Sequence, residues 1–337
     1  MNGYDIAIVG ATGVVGQEFI KVLNQRRFPI RSVRLLASDR SAGRQMAFNG
    51  HTLTVEETKE EAFEGVKIVL IASGADISRH FSPIAVRAGA VVVDNSSAFR
   101  MDPAVPLVVP EVNGDDVRWH KGIIANPNCS TAQMVVALWP LHQVNPIRRV
   151  IVDTYQSVSG TGGPAVDELD LQIRQIAAGE PVTSEVYPHQ IALNVLPEID
   201  TFLDNGYTKE EWKMVEESRK ILHLPDLRLS ATCVRVPVRV GHSEAVHVEF
   251  EQPMTPTEAR EVLAAAPGVE VVDDPAQRRY PHPWAAAGHD PVYVGRIRQD
   301  ASHPNGLAFW IVSDNLRKGA ALNAVQIAEG LIARELV

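Results

Sequence analysis

Cys129 stands where a strand-like run, Gly122 to Ala125, breaks at Asn126-Pro127-Asn128 and a helix expected over Thr131–Leu138 begins. A cysteine at a helix N-terminus meets the positive end of the helix dipole, which favours thiolate and makes the sulfur a nucleophile near neutral pH. The free N–H groups of the first turn could also hold an oxyanion. A buried structural cysteine is the plainer reading of such a position. The nucleophilic one needs a proton partner, and His242, following Gly241, supplies an imidazole that titrates near working pH. Just before it, Val234, Val236 and Val238 alternate with Arg235 and Arg239, so an expected strand Thr232–Val238 would place both arginines on one face. A surface arginine ladder and a histidine capping a strand compete with this reading. The chemistry itself calls for no metal.

A second constellation is Gly10-Ala11-Thr12-Gly13-Val14-Val15-Gly16, between a strand and a helix. Glycines there allow a tight turn and a close approach of backbone to a pyrophosphate, whose charge suits the helix start. The spacing is G-x-x-G-x-x-G, and a ligand-free glycine turn would look similar. Cofactor choice is written after the second strand, where NAD enzymes carry an acid for the ribose hydroxyls. Here Ser38, Arg40 and Ser41 suit a 2′-phosphate, so NADP is expected, although Asp39 lies among them and could simply pair with Arg40 in a solvated loop.

The elements that must position these residues fall into two groups. Up to about residue 125, short apolar runs (Asp5–Val9, Ser32–Ala37, Val66–Ala72, Ala90–Asp94) alternate with helical segments, the pattern of parallel βαβ units in a Rossmann-like α/β domain. Beyond residue 150, strand-like Val150–Gln156, Thr232–Val238, Glu244–Phe250 and Leu307–Val312 are separated by helical stretches Asp167–Ala178 and Lys209–Leu222. This reads as an α+β domain with a mixed or antiparallel sheet. A final helical pattern, Gly319–Leu336, is expected to return to the first domain, giving 1–127 plus 315–337 for NADP and 128–314 for catalysis.

At 337 residues, two packed units are the better prior. A formal charge of −9 without a basic run argues against a nucleic-acid partner. No stretch is long and apolar enough for a membrane span, no signal-peptide pattern opens the chain, and two cysteines, Cys129 and Cys233, fit a reducing cytoplasm better than a disulfide scaffold.

Taken in order, the glycine turn, Asp94–Met101 (DNSSAFRM), Asn126–Ser130 (NPNCS), Tyr155–Gly160 (YQSVSG), Cys233–Val238 (CVRVPV), Gly241–Ser243 (GHS), Tyr293–Arg298 (YVGRIR) and Asp314–Ala321 (DNLRKGAA) resemble the aspartate-semialdehyde dehydrogenase family along nearly the whole chain. The resemblance implies NADPH-dependent reduction of β-aspartyl phosphate to aspartate semialdehyde and phosphate through a thioester on Cys129, in the aspartate pathway to lysine, methionine and threonine. It implies His242 as acid/base and Gln156 as the group that orients substrate at the cysteine. Arg235 would hold the α-carboxylate, Glu210 the α-ammonium, and Arg100 with Lys213 the phosphoryl group. Ser159, Gly160 and Asn315 would approach the nicotinamide, while Thr12, Gly13, Val14 and Val15 hold the pyrophosphate.

The same family implies a homodimer or homotetramer built through the second domain. Glu210-Glu211-Trp212-Lys213 is the weakest of these assignments, since an i, i+3 Glu–Lys pair on a helix is ordinarily a solvated surface pair. Three alternatives stay open on the residues alone. An N-acetyl-glutamyl-phosphate reductase-like enzyme would lack a carboxylate facing a free ammonium, a cysteine hydrolase would leave the glycine turn unexplained, and a non-catalytic NADP-binding relative would not need Cys129, Gln156, Arg235 and His242 together.

Overall fold

Residues 3–337 are described by a computed structural model, in which the chain divides into two units. One runs through Asn128 and resumes at Ala320, and the other is Cys129–Gly319.

The first unit holds β1 (Tyr4–Val9), α1 (Val14–Gln25), β2 (Ile30–Ala37), β3 (Gln45–Phe48), β4 (His51–Thr54), β5 (Glu56–Glu57), β6 (Ile68–Ile71), α2 (Ala75–Arg87), β7 (Val91–Asp94), α3 (Pro110–Asn113) and β8 (Ile123–Ala125). Six strands form a parallel sheet in the order β5-β2-β1-β6-β7-β8. A parallel sheet is covered on both faces, so its inner strands read as unbroken apolar runs rather than alternating ones. Ile68-Val69-Leu70-Ile71 and Val91-Val92-Val93 are accordingly all buried. One face packs on Phe19 and Leu23 of α1 and on Val325 and Leu331 near the C-terminus. The other packs on Phe63 and on Ile84 and Ala85 of α2. The βαβ expectation holds. What it lacked is the β3–β4 hairpin, closed by Asn49-Gly50 with both residues at positive φ, and the two-residue β5, each too short to stand out among the longer apolar runs.

The second unit is built from α4 (Cys129–Val144), β9 (Ile147–Gln156), α5 (Gly163–Ala178), α6 (Lys209–Ile221), β10 (Arg228–Arg235), β11 (His242–Phe250), α7 (Pro256–Ala264), β12 (Val269–Val271), α8 (Pro283–Ala286), β13 (Val292–Gln299) and β14 (Gly306–Ser313). Its sheet runs β10-β9-β11-β14-β13-β12, with β10–β9 and β12–β13 parallel and the remaining pairs antiparallel. The expected mixed sheet is therefore present. Helix α4 is buried nearly all round from Ser130 to Leu138, as suits a core helix rather than an amphipathic surface one. On the partly exposed side of the sheet, Tyr155 and Trp310 lie with ring centroids 5.3 Å apart. After β14 a π-helical stretch, Arg317–Ala321, leads into α9 (Leu322–Ala333), so the single helix expected from Gly319 is two segments.

One local expectation fails with a consequence for the site. The strand expected to reach Val238 ends at Arg235, because Val236 N–H bonds to Gln156 O, Pro237 has no N–H to offer, and Val238 N–H closes a tight turn onto Val236 O. Arg235 is buried, whereas Arg239 lies beyond the strand with its side chain 64% exposed, bonded to Asp170 at 2.7 Å. The two arginines do not share a strand face. His242, expected just after the turn at Gly241, is the first residue of β11.

Candidate active site

Three strand ends meet at one edge of the second unit's sheet. β9 ends at Gln156, β10 ends at Arg235 directly beside it, and antiparallel β11 starts with His242, its next residue, Ser243, lying opposite Tyr155. The N-terminus of α4 is tied to the same edge, since Gln156 Nε2 donates to Ser130 Oγ at 2.7 Å. Cys129 is the first residue of that 16-residue helix and is partly exposed, the placement in which the dipole favours a thiolate. Cys233, by contrast, is fully buried, and burial pushes its thiol well above the ordinary range. Of the two, only Cys129 has a placement that favours a thiolate.

The backbone around Cys129 is close-packed. A β-carbon on Gly319 would lie 2.6 Å from Cys129 Cβ and 3.0 Å from its Cα, so only glycine fits. Gly160 plays a comparable part for the other groups, because a β-carbon there would sit 3.0 Å from Arg235 Nη1 and 3.2 Å from His242 Nε2. Gly160→Ala is expected to displace both side chains and lower kcat/KM roughly 10- to 100-fold, in the range a displacement near 1 Å produces. Unchanged steady-state kinetics in that variant would show that neither side chain needs its present position.

His242 is completely buried, and its Nδ1 accepts the backbone N–H of Ser157 at 3.0 Å. That bond leaves the proton of the neutral ring on Nε2, which has no hydrogen-bond partner among the described residues and is open to a ligand. Burial first, and then the charge of Arg235, hold the imidazole well below its usual pKa, so the ring is neutral at physiological pH. Arg235 gives Nη1–H to Ser157 O at 2.7 Å, while its Nε has no partner. A guanidinium with five donors keeps capacity for an anion.

Glu210 and Lys213 lie in the first turn and a half of α6, which Thr208 and Glu211 fix through a capping box. Glu210 is 6% exposed, accepting from Gln156 Nε2 at 3.2 Å and from Lys213 Nζ at 3.1 Å. The solvated surface pair is thereby excluded. Lys213 also pairs with Asp200 at 2.8 Å, and although burial works against its charge, Glu210 and Asp200 outweigh it and raise the pKa. Asp200, like Ser130, Ser157 and Gly319, was not foreseen. Ser130 and Gly319 fall inside the quoted motifs, but Asp200 carries no sequence signal, since only the fold brings it to Lys213.

Asn315 and Ser159 are buried among the same groups. Asn315 Oδ1 accepts from Gly241 N–H at 2.8 Å and Ser157 Oγ at 3.0 Å, and its Nδ2 donates to Ser159 Oγ at 3.0 Å. The amide thus braces both loops that hold His242. Arg100 belongs to the first unit, where Nε donates to Asn126 O at 2.9 Å and Nη2 to Asn95 O at 2.7 Å.

The glycine turn of the first unit divides its labour. Gly10 has φ +82°, and a β-carbon there would come within 2.4 Å of Ala72 O; one on Gly16 would come within 2.2 Å of Gly10 O. The fold itself requires both. At Gly13, the residue capping α1, the nearest atom would be 3.4 Å away, so the missing side chain leaves open space over the first-turn N–H groups of Val14 and Val15. Beside it is a cavity of about 450 Å³ lined by Gly10, Thr12, Gly13, Ser38, Asp39 and Thr58, among others. Ser41 bonds Thr12 at 3.4 Å, and Arg40 is exposed just past the wall. These residues fit a dinucleotide phosphate, with Asp39 nearer the cavity than Arg40.

Residues 5–120 match the domain family described as semialdehyde dehydrogenase, NAD binding domain, and residues 138–318 the semialdehyde dehydrogenase dimerisation domain. The aspartate-semialdehyde dehydrogenase of Aquifex aeolicus is 52% identical over 99% of this chain and all of its own, and that of Bacillus subtilis 51% identical over 100% and 99%. Among solved structures, aspartate semialdehyde dehydrogenase II of Vibrio cholerae complexed with ASA superposes with a TM-score of 0.96 at 46% identity, covering 99% of both chains. The Candida albicans enzyme with NADP gives 0.76 at 26% identity, covering 99% of this chain and all of that one.

Proposed function

The chain belongs to the aspartate-semialdehyde dehydrogenase family, and from that premise we propose that it carries out the NADPH-dependent reductive dephosphorylation of β-aspartyl phosphate. The observation that carries this reading is Cys129 at a helix start, tied through Ser130 to a cluster of Gln156, Glu210, Arg235 and His242.

The Cys129 thiolate, favoured by the α4 dipole, attacks the β-carbonyl. The carbon–sulfur bond forms, the carbon–oxygen bond to phosphate breaks, and a thioester remains. Bound NADPH supplies the hydride that reduces this thioester. The resulting oxyanion re-forms a carbonyl as the carbon–sulfur bond breaks, releasing aldehyde and regenerating thiolate, while one proton from solution ends on the phosphate. His242 enters as a neutral ring with its proton on Nε2, a hydrogen-bond donor to the carbonyl oxygen on which charge develops. A substrate anion arriving beside Arg235 offsets the charge that depresses the ring, but a second proton at Nδ1 would face the Ser157 N–H already bonded there, so the ring serves as the neutral Nε2 donor.

Arg235 binds the α-carboxylate through its spare donors. Glu210 meets the α-ammonium, a role that favours the free amine over an acylated one and so disfavours a reductase of N-acetyl-glutamyl phosphate. Arg100 and Lys213 serve the phosphoryl group, and Gln156 orients the reacting carbon. We assign cofactor binding to the first unit, with Gly10, Thr12, Gly13, Val14 and Val15 at the pyrophosphate and Ser38, Arg40 and Ser41 at the 2′-phosphate, and catalysis and dimerisation to the second. Ser159, Gly160 and Asn315 reach the nicotinamide end in this assignment. No helix of the described residues is long and apolar enough to cross a membrane, and with neither cysteine in a disulfide the reading places a homodimer, or a tetramer of such dimers, in the cytoplasm.

The test is a phosphate-dependent assay with aspartate semialdehyde and NADP. NADPH formation that requires phosphate supports the reading, and absence of turnover with this substrate overturns it. In the same assay NADP is expected to exceed NAD in kcat/KM by at least about tenfold, the worth of one charge-assisted contact to the 2′-phosphate. Equal values would show that Ser38, Arg40 and Ser41 do not read that group.

A further inference from the structure

Two residues past His242 on β11, Glu244 is completely buried, and neither carboxyl oxygen meets a conventional hydrogen-bond partner. Its neighbour is Gln133 on α4, one helical turn beyond Cys129 and therefore on the same helix face. Gln133 is also fully buried. Its Oε1 accepts from Ser313 Oγ at 2.6 Å, and its Nε2 meets no other partner. Ser313 in turn pairs across the sheet with His242. A short polar chain, Ser313 to Gln133 to Glu244, thus joins the helix that carries the nucleophile to the strands that carry the histidine. It lies behind both and the chemistry does not use it.

An ionised carboxylate here would be an unpaired charge in the core, which costs far more than a neutral acid. Of the groups facing Glu244, the Gln133 amide alone works the other way, and burial outweighs it. Thr154 lies opposite it on β9, Cys233 on β10 is a neutral thiol, Ser313 is a hydroxyl, and His242 on its own strand is a neutral ring. Burial raises the carboxyl well above its ordinary value.

We infer that Glu244, as a neutral carboxylic acid held against the Gln133 amide, is a positioning residue that sets the α4 N-terminus, and with it Cys129, against the strand bearing His242. This rests on Cys129 as the nucleophile, so its test includes readouts that need no turnover.

The experiment compares wild type with Glu244→Gln, Glu244→Leu and Gln133→Leu for turnover, rate of Cys129 alkylation by iodoacetamide, and melting temperature across pH. Glutamine imitates the protonated acid and should stay within about threefold of wild type in turnover and alkylation, whereas leucine at either position should fold yet lose roughly tenfold in both through misplacement of the thiol. Because the native pKa lies above the unfolded one, the stabilisation from the proton is complete below the unfolded value and lost as pH rises towards the native one. Wild type should therefore lose melting temperature with rising pH along a slope that Glu244→Gln lacks.

Wild-type alkylation and turnover in folded Glu244→Leu, or a Glu244→Gln variant as impaired as the leucine one, would overturn the inference. If leucine at 244 prevents folding, Gln133→Leu and the pH slope decide it. Failure of turnover with aspartate semialdehyde in every protein, with the alkylation differences intact, would instead remove the functional reading and leave this one standing.

Discussion

Cys129→Ser is expected to lower turnover of aspartate semialdehyde on the order of a thousandfold or more, about 4 kcal/mol of barrier, with NADP binding unchanged. A serine hydroxyl at the start of α4 would feel the same dipole, but its pKa is too far from neutrality for a helix end to produce an alkoxide. The neighbouring groups cannot compensate. His242 offers a proton on Nε2 rather than a lone pair, since Nδ1 is engaged by Ser157, so no base stands ready to take the hydroxyl proton. Cofactor binding in the variant, followed by fluorescence or calorimetry, separates loss of chemistry from loss of fold. Turnover within tenfold of wild type would remove the thioester from the mechanism.

The second large effect separates two arginines assigned to opposite ends of one substrate. Arg235→Lys keeps the charge but loses the planar fork, and at a site only 5% exposed an ammonium cannot both reach Ser157 O and grip a carboxylate with two donors. A fall in kcat/KM for aspartate semialdehyde of about 100-fold is expected, on the scale of losing one strand of a buried charge-assisted pair. Arg100→Ala should instead raise the KM for phosphate at least about tenfold more than that for the semialdehyde. Arg100 also supports the Asn95 and Asn126 carbonyls, so its variant should lose some melting temperature. The orientation is wrong if both variants raise the same KM, or if Arg235→Lys matches wild type.

Some of this was written in the linear sequence, and the reason is physical. Strand-forming runs buried on both faces must be continuously apolar, a glycine turn between strand and helix must have glycines where backbone meets backbone, and a helix start after Asn126-Pro127-Asn128 is a local event. The Rossmann-like half, the mixed sheet and Cys129 at a helix N-terminus could therefore be read before any contact was known. Motifs spread along the chain named the family, and so proposed partners for the cysteine that no local pattern could supply.

Tertiary structure decided what depends on neighbours distant in sequence. Whether Glu210 and Lys213 form a surface pair or a buried one turned on Asp200 and Gln156, 10 and 54 residues from Glu210. The spacing of Arg235 and Arg239 predicted a shared face, but alternation holds only while the strand lasts, and Pro237 and the turn at Val238 end it. The tautomer of His242 was fixed by a backbone N–H 85 residues away. Gly319 became necessary only because the chain returns against Cys129, and Glu244, an acid in phase with Val246, Val248 and Phe250 along its strand, lies on the inward face that α4 covers. Local propensity and period are properties of neighbours in sequence, whereas burial, charge state and clearance are set by whatever the fold packs alongside.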